Sequence, residues 1–226
     1  MIKAVLFDLD GVLIDSEKIY VRFWMQAAEE LGYSLPLPQA LELRSCGKAT
    51  GGEILSGVNG GRDVYDEIYA HRVELMDEYV AQNGYEAKPG AFEALPELKR
   101  AGYRLAIVTA SVLEKKLPML ERMGFTEYFD DIISAHEVKR SKPFPDVYLY
   151  AAGKLGIKPE ECVAVEDSPN GIRSAHGAGM KVIMAPDLTG PDEELSRLCT
   201  VVDSLKDVPL TIRKLEEIFQ TEYYFE

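Results

Sequence analysis

Six short runs of β-branched and apolar residues alternate with helical patterns along this chain: Ala4 to Phe7, Leu105 to Val108, Asp131 to Ile133, Val163 to Val165, Val182 to Met184 and Thr200 to Val202. Strands that alternate with helices are the signature of βαβ units, so the pattern predicts a parallel α/β sheet. One interval breaks the rhythm. Between the first and second runs, residues 15 to about 85 show helical periodicity alone. Ser16 can cap a helix whose apolar face is Ile19, Tyr20, Phe23, Trp24, Ala27 and Leu31, with Gly32 placed to end it. Further helices are expected around Gln39 to Leu43, Lys48 to Leu55 and Asp63 to Gln82, with a glycine-rich turn at Ser56 to Gly61. The chain then divides into a core of residues 1–14 and 88–226 and an inserted all-helical cap of residues 15–87, with hinges near Asp15 and Ala87 to Gly90. Pro96 and Pro118 fall inside helical stretches, which predicts kinks or later starts there.

With 226 residues the chain can bury a full core, and its 46% hydrophobic and 28% charged composition fits a globular protein. The 25 lysines and arginines against 38 acids give a formal charge of −13, which opposes binding to nucleic acid or an anionic membrane through a broad basic face. An anionic substrate therefore needs local positive charge. Cys46, Cys162 and Cys199 are odd in number and widely spaced, which fits free thiols in a reducing compartment. The N-terminus has no secretion-signal pattern, and no stretch approaches the roughly 20 apolar residues of a membrane helix. A cytoplasmic location is the expectation.

The first run ends in Phe7-Asp8-Leu9-Asp10-Gly11, two acids and a glycine where a buried strand should stop. Unpaired charges beside a core are costly to desolvate, so something must compensate them, and a divalent metal is the first candidate. Ligands of open α/β sheets sit beyond the carboxyl ends of the strands. The segments at or near those ends are Asp8 and Asp10, then Thr109-Ala110-Ser111, then Lys142-Pro143, then Glu166-Asp167-Ser168. Together they offer what phosphoryl transfer needs. A phosphate monoester repels an attacking carboxylate until a cation and fixed donors neutralise its oxygens. Mg²⁺ suits oxygen ligands, and the expected set is the Asp8 and Asp167 carboxylates and the Asp10 backbone carbonyl, with Glu166 nearby or behind. Lys142 would hold Asp8 and the phosphate at once, with Lys139 and Arg140 competing for that role. Thr109 would donate to a phosphoryl oxygen. Asp8 then serves as nucleophile and Asp10 as acid and base, with Gly11 allowing the bend that turns Asp10 inward.

Other signals fail on inspection. Gly47-Lys48-Ala49-Thr50 lacks the hydroxyl residue directly after lysine that a phosphate-binding P-loop needs. Asp8-Leu9-Asp10-Gly11 places its glycine too early for an EF-hand. The three histidines are scattered, which disfavours a histidine zinc site.

Phe7-Asp8-Leu9-Asp10-Gly11-Val12-Leu13, Val108-Thr109-Ala110-Ser111, Ser141-Lys142-Pro143-Phe144-Pro145-Asp146 and Val165-Glu166-Asp167-Ser168-Pro169-Asn170-Gly171 cover nearly the whole chain in order. In these segments the chain resembles the haloacid dehalogenase superfamily, in the helical-cap branch that holds β-phosphoglucomutase and small sugar-phosphate phosphatases. The resemblance implies a Rossmann-like parallel sheet core, a nucleophile at Asp8, an acid/base at Asp10, phosphate contacts at Thr109, Ala110 and Lys142, and Mg²⁺ ligation at Asp8, Asp10 and Asp167. It also implies a cap loop in which Arg44 and Lys48 reach toward substrate. Where the mutase has a histidine this chain has Tyr20, a residue that borders the expected cleft. The expected activity is a Mg²⁺-dependent phosphatase of a small phosphorylated metabolite, a sugar or polyol phosphate, with a phosphosugar mutase or a non-catalytic binding module as alternatives. The expected assembly is a monomer or weak dimer.

Overall fold

The computed structural model describes residues 1–44 and 47–222. It divides into two compact units, Met1–Ile14 with Ala87–Glu226 and the inserted Asp15–Glu86. The first unit carries strands β1 (Ala4–Phe7), β2 (Arg104–Thr109), β3 (Asp131–Ser134), β4 (Cys162–Glu166), β5 (Lys181–Met184) and β6 (Thr200–Val201). All pair in parallel in the order β3-β2-β1-β4-β5-β6. This is a Rossmann-like α/β sheet.

The order reverses at β1. The chain runs outward from β1 through β2 and β3, then returns to β4 on the other flank of β1, so the carboxyl ends of β1 and β4 form the topological switch point where such sheets hold ligands. Every residue of β1 and β4 is fully buried, which explains their continuous apolar sequence better than an alternating pattern could. The helices of this unit are, in chain order after the insertion, α5 (Ala91–Arg100), α6 (Leu113–Arg122), α7 (Asp146–Leu155), α8 (Pro169–Gly177) and α9 (Val208–Glu222). Val147, Tyr148, Ala151 and Ala152 of α7 and Ile172 and Ala175 of α8 join the buried cluster beside the sheet.

The inserted unit is helical throughout its elements: α1 (Glu17–Glu30), α2 (Leu37–Glu42), α3 (Lys48–Val58) and α4 (Tyr65–Asn83). Its centre is aromatic. Trp24 of α1 meets Tyr65 and Tyr69 of α4 at centroid distances of 5.6 and 6.0 Å, and Phe23 meets Tyr79 at 5.3 Å. Asn59 closes the turn after α3 by accepting from the Ser34 amide and donating to the Ser34 and Leu55 carbonyls.

Three local expectations are revised. α5 and α6 begin before their prolines and continue past them; each proline forfeits an amide hydrogen bond, but the buried Leu95 and Leu98 of α5 and Met119 and Leu120 of α6 hold the helices against the core. Ser16 stands at the N-cap of α1 in a helical conformation, and its side chain makes no capping hydrogen bond. α3 extends three residues further than its apolar pattern suggests, which confines the turn to Asn59–Gly61. Cys162 and Cys199 are free thiols, and Cys46 lies outside the described residues. No described helix is long and apolar enough to cross a membrane.

Gly90 opens α5 with φ of +88°, and a Cβ there would lie 2.5 Å from the Lys206 backbone nitrogen. Neither the dihedral nor the contact can relax through a side chain. Gly90→Ala is expected to lower unfolding stability by about 2 kcal/mol or more in chemical denaturation. An unchanged midpoint would show that the α5 entrance is not fixed in this way.

Candidate active site

The switch point is built by backbone first. The Asp8 amide donates to the Val165 carbonyl at 2.9 Å, which continues the β1–β4 pairing by one residue and sets Asp8 beside Glu166 and Asp167. Gly11 then takes φ of +80°, the left-handed turn that glycine adopts freely, and the Gly11 amide donates to the Ile14 carbonyl at 2.9 Å. Asp8 is left at the strand end with a nearly buried carboxylate.

Lys142 joins the two strands. Its ammonium donates to Asp8 Oδ1 at 2.8 Å, to Glu166 Oε1 at 2.6 Å and to the Val108 carbonyl at 3.1 Å. It sits in the loop before α7, and the loop is tied down where Ser174 of α8 donates to the Phe144 carbonyl at 2.6 Å. Arg140, its neighbour in sequence, pairs instead with Asp146 on the surface.

Glu166 has no exposed surface and is held by protein donors: Lys142 and the Tyr148 hydroxyl on Oε1, the latter at 2.6 Å, and the Ser168 hydroxyl on Oε2 at 3.3 Å. Its carboxylate fits beneath α8 because residue 171 is glycine. A Cβ at Gly171 would lie 2.0 Å from the Glu166 carboxyl carbon. Ser168 caps α8, accepting from the Gly171 amide at 3.1 Å, with Pro169 in the first turn. The arrangement makes Glu166 a clamp for Lys142 rather than an open ligand. Tyr148 is part of this clamp and carries no signal in the sequence, where it reads as one more residue on the buried face of α7.

Asp10 turns toward the segment after β2. Ser111 donates its hydroxyl to Asp10 Oδ2 at 2.6 Å, and Lys116 of α6 donates to Oδ1 at 2.8 Å. Thr109, the buried last residue of β2, accepts the Ser111 amide on its hydroxyl oxygen at 2.9 Å, and Ser134 at the end of β3 donates to the Ser111 carbonyl at 3.0 Å. Ala110 follows Thr109 and is exposed. Lys116 escapes a reading of the sequence because Lys115-Lys116 looks like a solvated pair on a helix.

Carboxylate oxygens of Asp8, Glu166 and Asp167 lie within 4.8 Å of one another. Burial is the dominant influence on Asp8: it pushes the carboxyl up to about 7, with Lys142 pulling down and Glu166 adding to the rise. Burial also disfavours the Lys142 ammonium, yet Asp8 and Glu166 hold its pKa above the ordinary value. Hard oxygen donors, buried and close together, fit a divalent cation such as Mg²⁺, with Asp8 and Asp167 offering carboxylates while Glu166 is engaged by Lys142, Tyr148 and Ser168.

The remaining candidates lie in the helical unit. Arg44 faces Glu17 at 3.7 Å, Lys48 pairs with Asp66 at 2.6 Å on the surface, and the Tyr20 ring lies 5.1 Å from the Arg72 guanidinium carbon.

A Rossmann-like core with an aspartate, a bridging lysine and an acidic cluster at its switch point defines an α/β protein whose candidate functional groups lie at the strand ends. The chain belongs to the haloacid dehalogenase-like hydrolase family, whose model matches residues 5–185. It is 33% identical over 183 residues to a phosphorylated carbohydrates phosphatase of Thermotoga maritima, covering 80% of this chain and 83% of that one. It is 33% identical over 191 residues to hexitol phosphatase B of Escherichia coli, with coverage of 82% and 84%. A crystal structure of a haloacid dehalogenase family hydrolase from Deinococcus radiodurans, with bound phosphate and sodium, superposes with a TM-score of 0.76 at 31% identity, covering 94% of this chain and 96% of that one.

Two outcomes follow from the site's charge and packing. A cation held by Asp8 competes with the proton that Asp8 retains below about pH 7, so Mg²⁺ is expected to raise the thermal midpoint more at pH 8 than at pH 5. An equal or reversed difference would remove Asp8 from the ligand set. Gly171→Ala is expected to expel the Glu166 carboxylate and to lower both stability and any turnover at least about tenfold, measured by denaturation and phosphate release. Full retention of both would show that the clamp is dispensable.

Proposed function

We propose that this protein is a Mg²⁺-dependent phosphatase of a small phosphorylated metabolite, a sugar or polyol phosphate, acting through a phosphoaspartate at Asp8. The observation that carries this reading is the Asp8 carboxylate, buried at the switch point, gripped by Lys142 and grouped with Asp167. The names of the two phosphatase relatives support the substrate class.

Lys142 holds one oxygen of the Asp8 carboxylate and brings a positive charge to the phosphoryl oxygens. A bound Mg²⁺, held by the Asp8 and Asp167 carboxylates and the Asp10 backbone carbonyl with Glu166 behind, supplies the remaining neutralisation of phosphoryl charge. Thr109 and Ala110 lie at the end of β2, where a hydroxyl and backbone amides can bind the same oxygens. Asp8 attacks phosphorus, and the bond from phosphorus to the ester oxygen breaks. The leaving alkoxide takes its electron pair and a proton from Asp10. Water then attacks phosphorus, Asp10 receives the water proton, and the electron pair of the broken phosphorus–oxygen bond returns to Asp8. Inorganic phosphate leaves.

In this reading the helical unit serves as the cap, and Arg44, Lys48 and Tyr20 are its candidate substrate contacts. Arg44 and Lys48 are already ion-paired, so binding requires them to exchange partners or to hold substrate through a shared network.

The test is phosphate release across a panel of sugar and polyol phosphates with Mg²⁺. The protein is expected to turn over at least one member, and Asp8→Asn to lose about 10³-fold or more in kcat. Normal turnover by Asp8→Asn would rule the reading out. With β-glucose 1-phosphate and a trace of bisphosphate, free phosphate is the expected product, whereas isomer without free phosphate would identify a mutase.

A further inference from the structure

Asp10 is held from one side by two donors that its proposed proton-transfer role does not itself require. The Ser111 hydroxyl takes Oδ2 at 2.6 Å and the Lys116 ammonium takes Oδ1 at 2.8 Å, so both carboxylate oxygens are fixed and with them the plane of the group. The Lys116 side chain is only 7% exposed. Burying an ammonium carries a desolvation cost that a leucine at the same position would avoid. Lys116 is also the fourth residue of α6, near the positive end of the helix dipole, where cations are disfavoured. Two costs at one position call for a return beyond packing. Ser111 is itself tied in place, by its amide to Thr109 and by Ser134 to its carbonyl. The Asp10 carboxylate is therefore gripped by a rigid loop on one oxygen and by a buried side chain on the other.

We propose that Lys116 is a positioning residue for the second half of the reaction, holding Asp10 in the orientation from which it receives the proton of the attacking water. The inference rests on the proposed phosphoaspartate mechanism and adds a step-specific role to it. In the first half, the ester oxygen of the substrate engages Asp10 and helps to orient it. In the second half that oxygen has left. Water attacks phosphorus, the phosphorus–oxygen bond to Asp8 breaks with its electrons returning to Asp8, and the water proton passes to Asp10. Protein groups then hold the base, and Lys116 and Ser111 are two of the groups in contact with it. Loss of Lys116 accordingly slows dephosphorylation and leaves phosphorylation of Asp8 largely intact.

The kinetic signature is specific to a two-step covalent pathway. When dephosphorylation alone slows, kcat and KM fall together and kcat/KM stays constant, because kcat/KM reports only steps through formation of the phosphoenzyme. p-Nitrophenyl phosphate with Mg²⁺ is the suitable probe, since p-nitrophenolate departs without needing a proton. Lys116→Met is expected to lower kcat and KM in parallel by about tenfold, to keep kcat/KM within about twofold, and to raise the fraction of phosphoenzyme trapped by acid quench. Lys116→Arg, which restores a cationic donor, is expected to recover kcat to within about threefold of the parent. A fall in kcat/KM that matches the fall in kcat, or an unchanged kcat, would overturn the inference. If Lys116→Met does not fold, as judged by circular dichroism, Ser111→Ala decides by the same criterion, because it removes the donor to the other oxygen and leaves no buried charge behind. Parent protein that turns over the probe without a trappable phosphoenzyme, and whose rate is unchanged by Asp8→Asn, would overturn the phosphoaspartate mechanism and this inference with it.

Discussion

The site depends on one buried ammonium. Lys142 is shared by Asp8 and Glu166, two carboxylates delivered by adjacent strands, and each contact is short and charge-assisted. Without it, two acids would face each other at the ends of two fully buried strands. With it, one oxygen of Asp8 is held in place, and the carboxylates of Asp8, Glu166 and Asp167 are grouped at the strand ends. The surrounding structure serves this contact. Tyr148 and Ser168 hold Glu166, Gly171 makes room for it, and Ser174 anchors the loop from which Lys142 reaches in. A buried ion pair of this kind adds little net stability, since desolvation offsets most of the attraction, but removing one member leaves an uncompensated charge. Its value lies in placing groups.

Much of this was legible in the order of residues. Asp8 and Asp167 stand out because acids directly after apolar, β-branched runs are poor packing material, and the strand order then brings the ends of β1 and β4 together. Lys142 could be preferred over Lys139 and Arg140 through the resemblance, whose pattern Pro143 and Pro145 fit for Lys142 alone, and the structure places it on Asp8 while Arg140 stays on the surface with Asp146. The strand runs are equally plain, since a strand buried on both faces has little freedom of composition. Gly11 announces its turn for a related reason, because few other residues take a positive φ at low cost.

What stayed hidden are the groups whose roles depend on three-dimensional neighbours alone. Tyr148 reads as an ordinary core position of α7, and nothing nearby in sequence reveals that its hydroxyl ends on Glu166. Lys116 shares its helix with Lys115, and a pair of lysines is ordinarily a solvated face, yet residue 116 is buried against Asp10, 106 positions earlier in the chain. Gly171 looks like a helix residue of poor propensity until the Glu166 carboxylate is seen beneath it. The prolines of α5 and α6 mislead in the opposite direction: local cost is visible in sequence, whereas the burial of Leu95, Leu98, Met119 and Leu120 that outweighs it is not.

The claim that Asp8 carries the transferred phosphoryl group is tested most directly by chemical trapping. Protein quenched during turnover and reduced with borohydride should show, on peptide mapping by mass spectrometry, conversion of an acyl phosphate at position 8 and at no other carboxylate. Trapping at a different residue, or turnover with no reducible acyl phosphate at all, would contradict the account.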